Sequence, residues 1–265
     1  MINLLKADLF RLRKSKTFKI SMLIMLLLVV GFSFLYFMEE DFLVINGTFR
    51  DNRMYGFYIG QVRENRSYLN FFRSSLGLTI FTCLTMLFII TDFTISKYSN
   101  GILKNTVSYG HNKYKIYLSN MISIYIGVCI IALSYIVLSM AIISFLFFPG
   151  YIISKDELCI MLKVTITLLI ILASMVSFYT LIATIVKSKA LVATLGALFI
   201  ILISALLFDV VDANIKNKIP IYMITNLCGQ PTDISLLNSF IMNSGVLLVV
   251  SLIVGCVIFK KQEIK

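Results

Sequence analysis

The chain has 265 residues, of which 59% are hydrophobic and 14% are charged, and its net charge at pH 7 is +11. Soluble domains have about 45–50% apolar and about 25% charged residues, so this composition excludes an ordinary soluble domain and indicates a polytopic membrane protein. The basic residues flank apolar segments, so attraction to anionic lipid explains the charge better than binding to nucleic acid.

The first 19 residues are basic and amphipathic. Their apolar residues recur at helical spacing, at Ile2, Leu5, Leu9 and Leu12. This pattern predicts a helix that lies on the membrane surface, with Leu5, Leu9 and Leu12 directed at the headgroup boundary. The apolar residues 20–38 are long enough to cross a bilayer, and they lack the small-residue site of a cleaved signal peptide.

Residues 39–75 form the first predicted external loop, which mixes charges of both signs with many aromatic residues. The pattern predicts an interfacial aromatic belt over one or two surface helices. A contact surface for an amphipathic substrate is the alternative, and its candidate residues are Tyr55, Phe57 and Tyr58. The second predicted span, residues 76–95, carries Asp92 near its inner end. A charged residue at that depth needs a partner, and Lys97 is the predicted one, with proton coupling as the alternative.

A polar island, residues 97–115, separates this span from the next one. It carries four lysines, the single histidine and no acid, which predicts a cytoplasmic loop. Gly101 and Gly110 mark the predicted ends of a short helix, and Leu103 and Val107 recur at i and i+4 on one face of it. Such a helix either lies on the headgroups or docks into a groove on a partner protein.

Four further spans are predicted at residues 116–148, 158–186, 190–208 and 237–259. The first two are longer than a bilayer needs and must tilt, kink or project from it. The short turn between them predicts a helical hairpin over residues 116–186 with its tip outside. Residues 219–228 are apolar but too short to cross, which predicts a re-entrant or interfacial segment before the last span. With both termini inside, 15 of the 24 bases and 3 of the 13 acids are cytoplasmic, as the positive-inside rule requires. The predicted fold class is therefore all-α, a single six-span membrane domain over residues 1–265.

The segment from Gly101 to Ser119, GILKNTVSYGHNKYKIYLS, resembles the segment that follows the second span in type-2 ABC export permeases. Their pattern is G-x-x-K-x-x-x-S-x-G-x-x-R-x-x-x-x-x-S/A-K. The positions that match it are Gly101, Lys104, Ser108, Gly110 and Ser119. Lys113 stands where arginine is usual, and Asn120 stands where lysine is usual.

The resemblance implies that this segment couples the permease to a separate cytoplasmic ATPase. The coupling residues would be Gly101, Leu103, Lys104, Val107, Ser108, Gly110 and Lys113. It also implies a homodimer, or a heterodimer with a similar permease, and two ABC ATPase subunits that hold ATP and Mg. The resembling permeases carry short re-entrant helices before their last span, in agreement with residues 219–228.

The sequence offers no chemistry of its own. It has no phosphate-binding G-x-x-x-x-G-K-S/T loop, no mid-span acid for ion coupling and no cysteine pair of the kind that binds zinc. We therefore expect no catalytic residue, no metal site and no cofactor in this chain. The expected function is export of amphipathic peptides, antibiotics or lipid-like compounds across a bacterial plasma membrane, as in antimicrobial peptide resistance. The alternative is a non-transport scaffold or sensor subunit of a membrane complex.

Overall fold

The structure of the chain is a computed structural model, and it describes residues 1–37, 43–50, 53–59, 68–205, 218–228 and 234–262. Helices dominate it, and in chain order they are α1 Ile2–Lys14, α2 Lys16–Phe37, α3 Tyr68–Leu76, α4 Thr79–Ile90, α5 Ser96–Ser99, α6 Ile102–Ser108, α7 Lys113–Phe147, α8 Lys155–Val186, α9 Lys189–Ala205, α10 Pro220–Cys228 and α11 Ile234–Lys261. A π-helical turn, Thr91–Ile95, joins α4 to α5.

Long apolar helices define the class of the protein. Among the described residues, five helical segments are long and apolar enough to cross a membrane, namely Lys16–Phe34, Tyr68–Ser99, Lys113–Phe147, Lys155–Val186 and Ser235–Lys261. The predicted helical, multi-pass membrane class is therefore confirmed. The remaining predicted span, residues 190–208, corresponds to α9, which is apolar but has 17 residues. A sixth crossing stays a prediction.

A β-hairpin lies between α2 and α3, where the sequence predicted surface helices. Strand β1, Leu43–Arg50, pairs antiparallel with β2, Arg53–Ile59, and the register shifts between Ile45 and Thr48. The helical prediction is wrong for these two segments. Residues 68–76 are helical, but α3 is largely buried and belongs to the candidate span Tyr68–Ser99. The physical reason is their content of valine, isoleucine, tyrosine and phenylalanine, which favours strands. Candidate residues Tyr55, Phe57 and Tyr58 all belong to β2.

Two long helices, α7 with 35 residues and α8 with 32, form the hairpin predicted from residues 116–186. Gly150, with φ of 82°, follows the end of α7 in the left-handed region that favours glycine. A capping box between Ser154 and Glu157 begins α8. Helix α11 packs along α8, and Ser251 Oγ donates a hydrogen bond of 2.8 Å to Ser177 Oγ between them.

The short helix α10 coincides with the predicted re-entrant segment. Pro220 occupies its first position, where the missing N–H group costs nothing. Its side chains are buried at Ile221, Tyr222, Met223, Ile224, Thr225, Leu227 and Cys228. It packs against α3, α8, α9 and β2, so its backbone is surrounded by protein. That environment is the one in which a non-spanning segment is tolerated at membrane depth.

The contact between α7 and α11 yields a first prediction. A methyl group at Gly255 would overlap the buried ring and hydroxyl of Tyr117, whereas Gly245 on the same helix has no atom within 4 Å of its Cβ position. We expect Gly255→Ala to lower the free energy of unfolding by about 1–3 kcal/mol through overpacking. Gly245→Ala is the matched control and should leave the free energy of unfolding unchanged or raise it slightly. Equal thermal unfolding midpoints for both variants in detergent would show that Tyr117 moves aside freely.

Candidate functional site

The polar island consists of the end of α5, the helix α6 and the first turn of α7. Gly101 has a φ of 67° and Gly110 a φ of 80°, and residues other than glycine rarely adopt such positive φ angles. These angles confirm that the two glycines flank a short helix. The helix ends at Ser108, the chain turns at Gly110, and Lys113 already belongs to α7.

The apolar face of α6 contacts the rest of the chain. Leu103 is only 3% exposed and packs in a cluster with Ile116, Tyr117 and Phe259. Val107, one turn later, is partly buried against the same cluster. These contacts join α6 to the start of α7 and to the end of α11. Leu103 and Val107 therefore fix α6 to its own bundle.

The other face of α6 is polar and open. Lys104, Asn105 and Ser108 are exposed, and Tyr109, just after the helix, is 84% exposed. Ser108 Oγ donates a hydrogen bond of 2.6 Å to the carbonyl of Lys104, so its side chain is held close to the helix. Tyrosine is enriched in protein contact surfaces, and Tyr109 is the aromatic residue exposed here. We call Lys104, Asn105, Ser108 and Tyr109 the outer face of α6.

Lys113 binds the end of the last long helix. Its Nζ donates hydrogen bonds to the carbonyls of Lys260, at 3.2 Å, and of Gln262, at 2.7 Å. The final carbonyls of a helix lack hydrogen-bond donors within the helix, and here the ammonium of Lys113 is their donor. The side chain of Gln262 accepts a bond from the Tyr98 hydroxyl at 3.0 Å and donates one to the carbonyl of Thr184 at 2.8 Å. The last turns of α8 and α11 thus meet the island, and we call this region the island end of the bundle.

The N-terminal helix α1 packs across α7 at this end. Leu12 is buried, and its side chain fills the space beside Gly127. Leu5 and Leu9 are half-buried, whereas Ile2 and Phe10 are exposed. The predicted stripe is therefore divided between the bundle and the surface, and Leu12 belongs to the bundle.

Two ion pairs lie at the island end of the bundle, and neither is the predicted pair of Asp92 with Lys97. Lys97 Nζ lies 2.7 Å from Asp8 Oδ1 on α1, with side-chain exposures of 6% and 14%. Lys189 Nζ at the start of α9 lies 2.7 Å from Asp92 Oδ1, with exposures of 48% and 39%. The prediction failed because each charge finds a partner on another helix, Lys97 on α1 and Asp92 on α9.

Each acid of these pairs makes further hydrogen bonds. Asp8 Oδ2 accepts a hydrogen bond of 2.8 Å from Ser119 of α7. Asp92 accepts hydrogen bonds from Thr17 of α2 and from Ser96 of α5. The two carboxylates thereby connect α1, α2, the π-helical turn, α7 and α9.

Arg11 contacts the π-helical turn directly. Its guanidinium lies 3.8 Å from the ring centroid of Phe93, and Nη2 donates a hydrogen bond of 2.7 Å to the carbonyl of Phe93. Burial lowers the pKa of Arg11 from its usual value, although Asp8 and Asp92 oppose the shift. The group stays charged at neutral pH because its ordinary pKa is above 12. Stacking and hydrogen bonding together orient this cation.

The structure thus brings together the predicted residues of the island with residues that the sequence did not single out. Asp8, Tyr98 and Gln262 belong to the second group, and their only signal was that each is a polar residue beside an apolar run. No protein-family model and no curated protein matches the chain.

The buried pair yields the second prediction. Asp8→Ala leaves Lys97 buried without its counter-charge, and loss of one partner of a buried pair costs about 3–5 kcal/mol of unfolding free energy. The double variant Asp8→Ala with Lys97→Met should recover much of that loss. Lys189→Gln breaks the exposed pair with Asp92 and should lower the free energy of unfolding by about 0–1 kcal/mol. Thermal unfolding in detergent measures these three variants and Lys97→Met alone, and strictly additive effects of Asp8→Ala and Lys97→Met would contradict the coupling.

Proposed function

We propose that this chain is the membrane-spanning permease subunit of a type-2 ABC exporter, driven by a separate cytoplasmic ATPase. The observation that carries the proposal is the arrangement of α6, a short helix with one face packed on the bundle and a polar, aromatic face open. The segment from Gly101 to Ser119 that resembles the coupling region of these permeases contains this helix. A helical membrane bundle of this kind supplies the scaffold that the proposal needs.

In the proposed orientation, the island end faces the cytoplasm of a bacterium and both termini lie inside. The excess of basic residues at this end supports that orientation. Helix α9 is the fifth of six crossings, and α10 is a re-entrant segment that enters from the external side. The β-hairpin, which contains the candidate substrate residues Tyr55, Phe57 and Tyr58, then lies on the external side of the membrane.

The contacts of α6 explain how a partner's movement would reach the membrane. The ATPase seats on the outer face of α6, and Lys104, Ser108 and Tyr109 contact it. Leu103 transmits displacement to Ile116 and Phe259, at the ends of α7 and α11. Gly101 and Gly110 delimit the helix, so it moves as one piece between two turns. Lys113 couples the same movement to α11 through the carbonyls of Lys260 and Gln262.

The working assembly contains two permease chains, as a homodimer or a heterodimer, and two ATPase chains that bind ATP and Mg. The exported compounds are amphipathic peptides, antibiotics or lipid-like molecules, so the system would confer resistance to antimicrobial peptides. Membrane lipids surround the assembly, and α1 lies along the headgroups with Leu5 and Leu9 toward them.

Co-purification tests the ATPase partner. The tagged chain is isolated from its native host in mild detergent, and the bound proteins are identified and quantified by mass spectrometry. We expect an ABC ATPase with the wild-type chain, and at least a tenfold lower yield with Lys104→Glu or Tyr109→Ala, the loss of about 1.4 kcal/mol of binding energy. Two changes at the opposite end of the bundle, Lys155→Glu and Tyr151→Ala, are matched controls and should retain the ATPase. No ATPase with the wild-type chain, or equal yields from all variants, would contradict the proposal.

Cysteine labelling tests the orientation. In a background with the five native cysteines replaced, Ser108→Cys and Ile152→Cys each introduce one exposed thiol at opposite ends of the bundle. A membrane-impermeant maleimide applied to whole cells should label Ile152→Cys and spare Ser108→Cys until the membrane is opened. Labelling of Ser108→Cys in intact cells would invert the topology and remove the island from the cytoplasm.

A further inference from the structure

A cleft of about 290 Å3 lies between α1, the π-helical turn and the island. Its walls include Arg11 and Lys14 from α1 and Asn100 from the island. Asp92, Phe93 and Ser96 line it from the segment Tyr68–Ser99. It is separate from the outer face of α6. Three elements of the fold contribute to it, so its shape depends on the contacts of Arg11 and Asp92 described above.

Two cations line the cleft. Arg11 is held by Phe93, and its only hydrogen bond to the described part of the chain uses Nη2, so further guanidinium N–H groups remain for a ligand. Lys14 is exposed, and its only described contact is with the ring of Phe10, at 5.8 Å from the centroid. A fixed guanidinium beside a mobile ammonium is a combination suited to a phosphate group.

The one carboxylate on the wall does not cancel this charge. Asp92 is paired with Lys189 at 2.7 Å and accepts hydrogen bonds from Thr17 and Ser96. Lys189 therefore neutralises it, and Arg11 and Lys14 leave the cleft with a net positive charge. Asn100, which is exposed, and the hydroxyl of Ser96 add polar groups on the opposite wall.

Exposed apolar side chains lie on both helices that meet at Ser15, a residue of the cleft wall. On α1, Phe10 is 64% exposed and its ring lies near Lys14. On α2, the exposed apolar residues nearest to Ser15 in the chain are Ile20, Leu23, Ile24 and Leu27. A membrane-surface helix that joins a spanning helix places such residues against acyl chains and its cations at the headgroups. A cationic pocket bordered by acyl-facing residues is the arrangement that binds anionic lipid headgroups.

We propose that this cleft binds the phosphate of an anionic phospholipid, with Arg11 and Lys14 on the phosphate and the acyl chains along Phe10 and α2. This inference rests on the proposed membrane orientation but needs no ATPase. The lipid would connect α1 to the π-helical turn and to Asn100 of the island. The occupancy of the site would then affect how firmly the island is held.

Lipid binding to the purified chain tests this site. Protein stripped of lipid in detergent is titrated with dioleoyl phosphatidylglycerol or dioleoyl phosphatidylcholine, and bound lipid is counted by native mass spectrometry. We expect the phosphatidylglycerol to bind in preference to the phosphatidylcholine. Lys14→Gln and Asn100→Leu should each weaken phosphatidylglycerol binding, Lys14→Gln by at least about tenfold, as expected for one hydrogen bond to a charged group. Both residues are exposed, so neither change is expected to disturb folding.

Arg13→Gln is the matched control, because Arg13 is exposed on the same helix turn but does not line the cleft. It should bind phosphatidylglycerol as the wild type does. Equal losses in Arg13→Gln and Lys14→Gln would mean general attraction to a basic helix and would overturn the site. Inorganic phosphate that displaces the lipid at an equal concentration would show that the acyl chains add no affinity, and would overturn the lipid assignment. Because the ATPase is absent from this assay, its result is independent of the co-purification result.

Discussion

The carboxylate of Asp8 controls the position of the island. One of its oxygens pairs with Lys97, the first residue of the island, and the other accepts a hydrogen bond from Ser119, one turn after the island ends. A single side chain of α1 therefore holds both ends of the loop that carries α6. The pair is buried, so its loss would leave an uncompensated charge among apolar side chains. Leu103 and Lys113, which contact α7 and α11, lie in the chain between the two residues that Asp8 holds.

This arrangement separates two surfaces that a basic, membrane-proximal sequence does not distinguish. The outer face of α6 is open and contains Tyr109, whereas the cleft beside Arg11 is concave and lined by two cations. We propose a protein partner for the first and a lipid for the second. Both surfaces include residues of the island, and Gly101 lies in the chain between Asn100 of the cleft and Lys104 of the outer face.

Sequence patterns predicted the parts of the fold that depend on neighbours in the chain. The two glycines around α6, the long helices α7 and α8 and the short apolar helix α10 follow from local composition, length and turn residues. The pairing of Lys97 with Asp8 was missed because it joins residues far apart in the chain, and only the packed fold decides it. The strands between α2 and α3 were missed because aromatic residues at a membrane surface suit either a helix or a hairpin. The inward direction of Leu103 was also beyond the sequence, since an apolar helix face does not reveal whether it contacts its own chain or a partner.

Helix α7 is one long, continuous helix that connects the island to the far end of the bundle. It has no proline between Lys113 and Phe147, and at 1.5 Å per residue its length is about 52 Å. A hydrocarbon core is about 30 Å thick, so the rod extends beyond it. At one end Lys113 binds the last turn of α11, and at the other Phe147 stacks on Phe71 with ring centroids 5.9 Å apart. If α7 tilts as a single body, a displacement that begins at the island moves the far end, where Phe147 contacts Phe71, in the opposite direction.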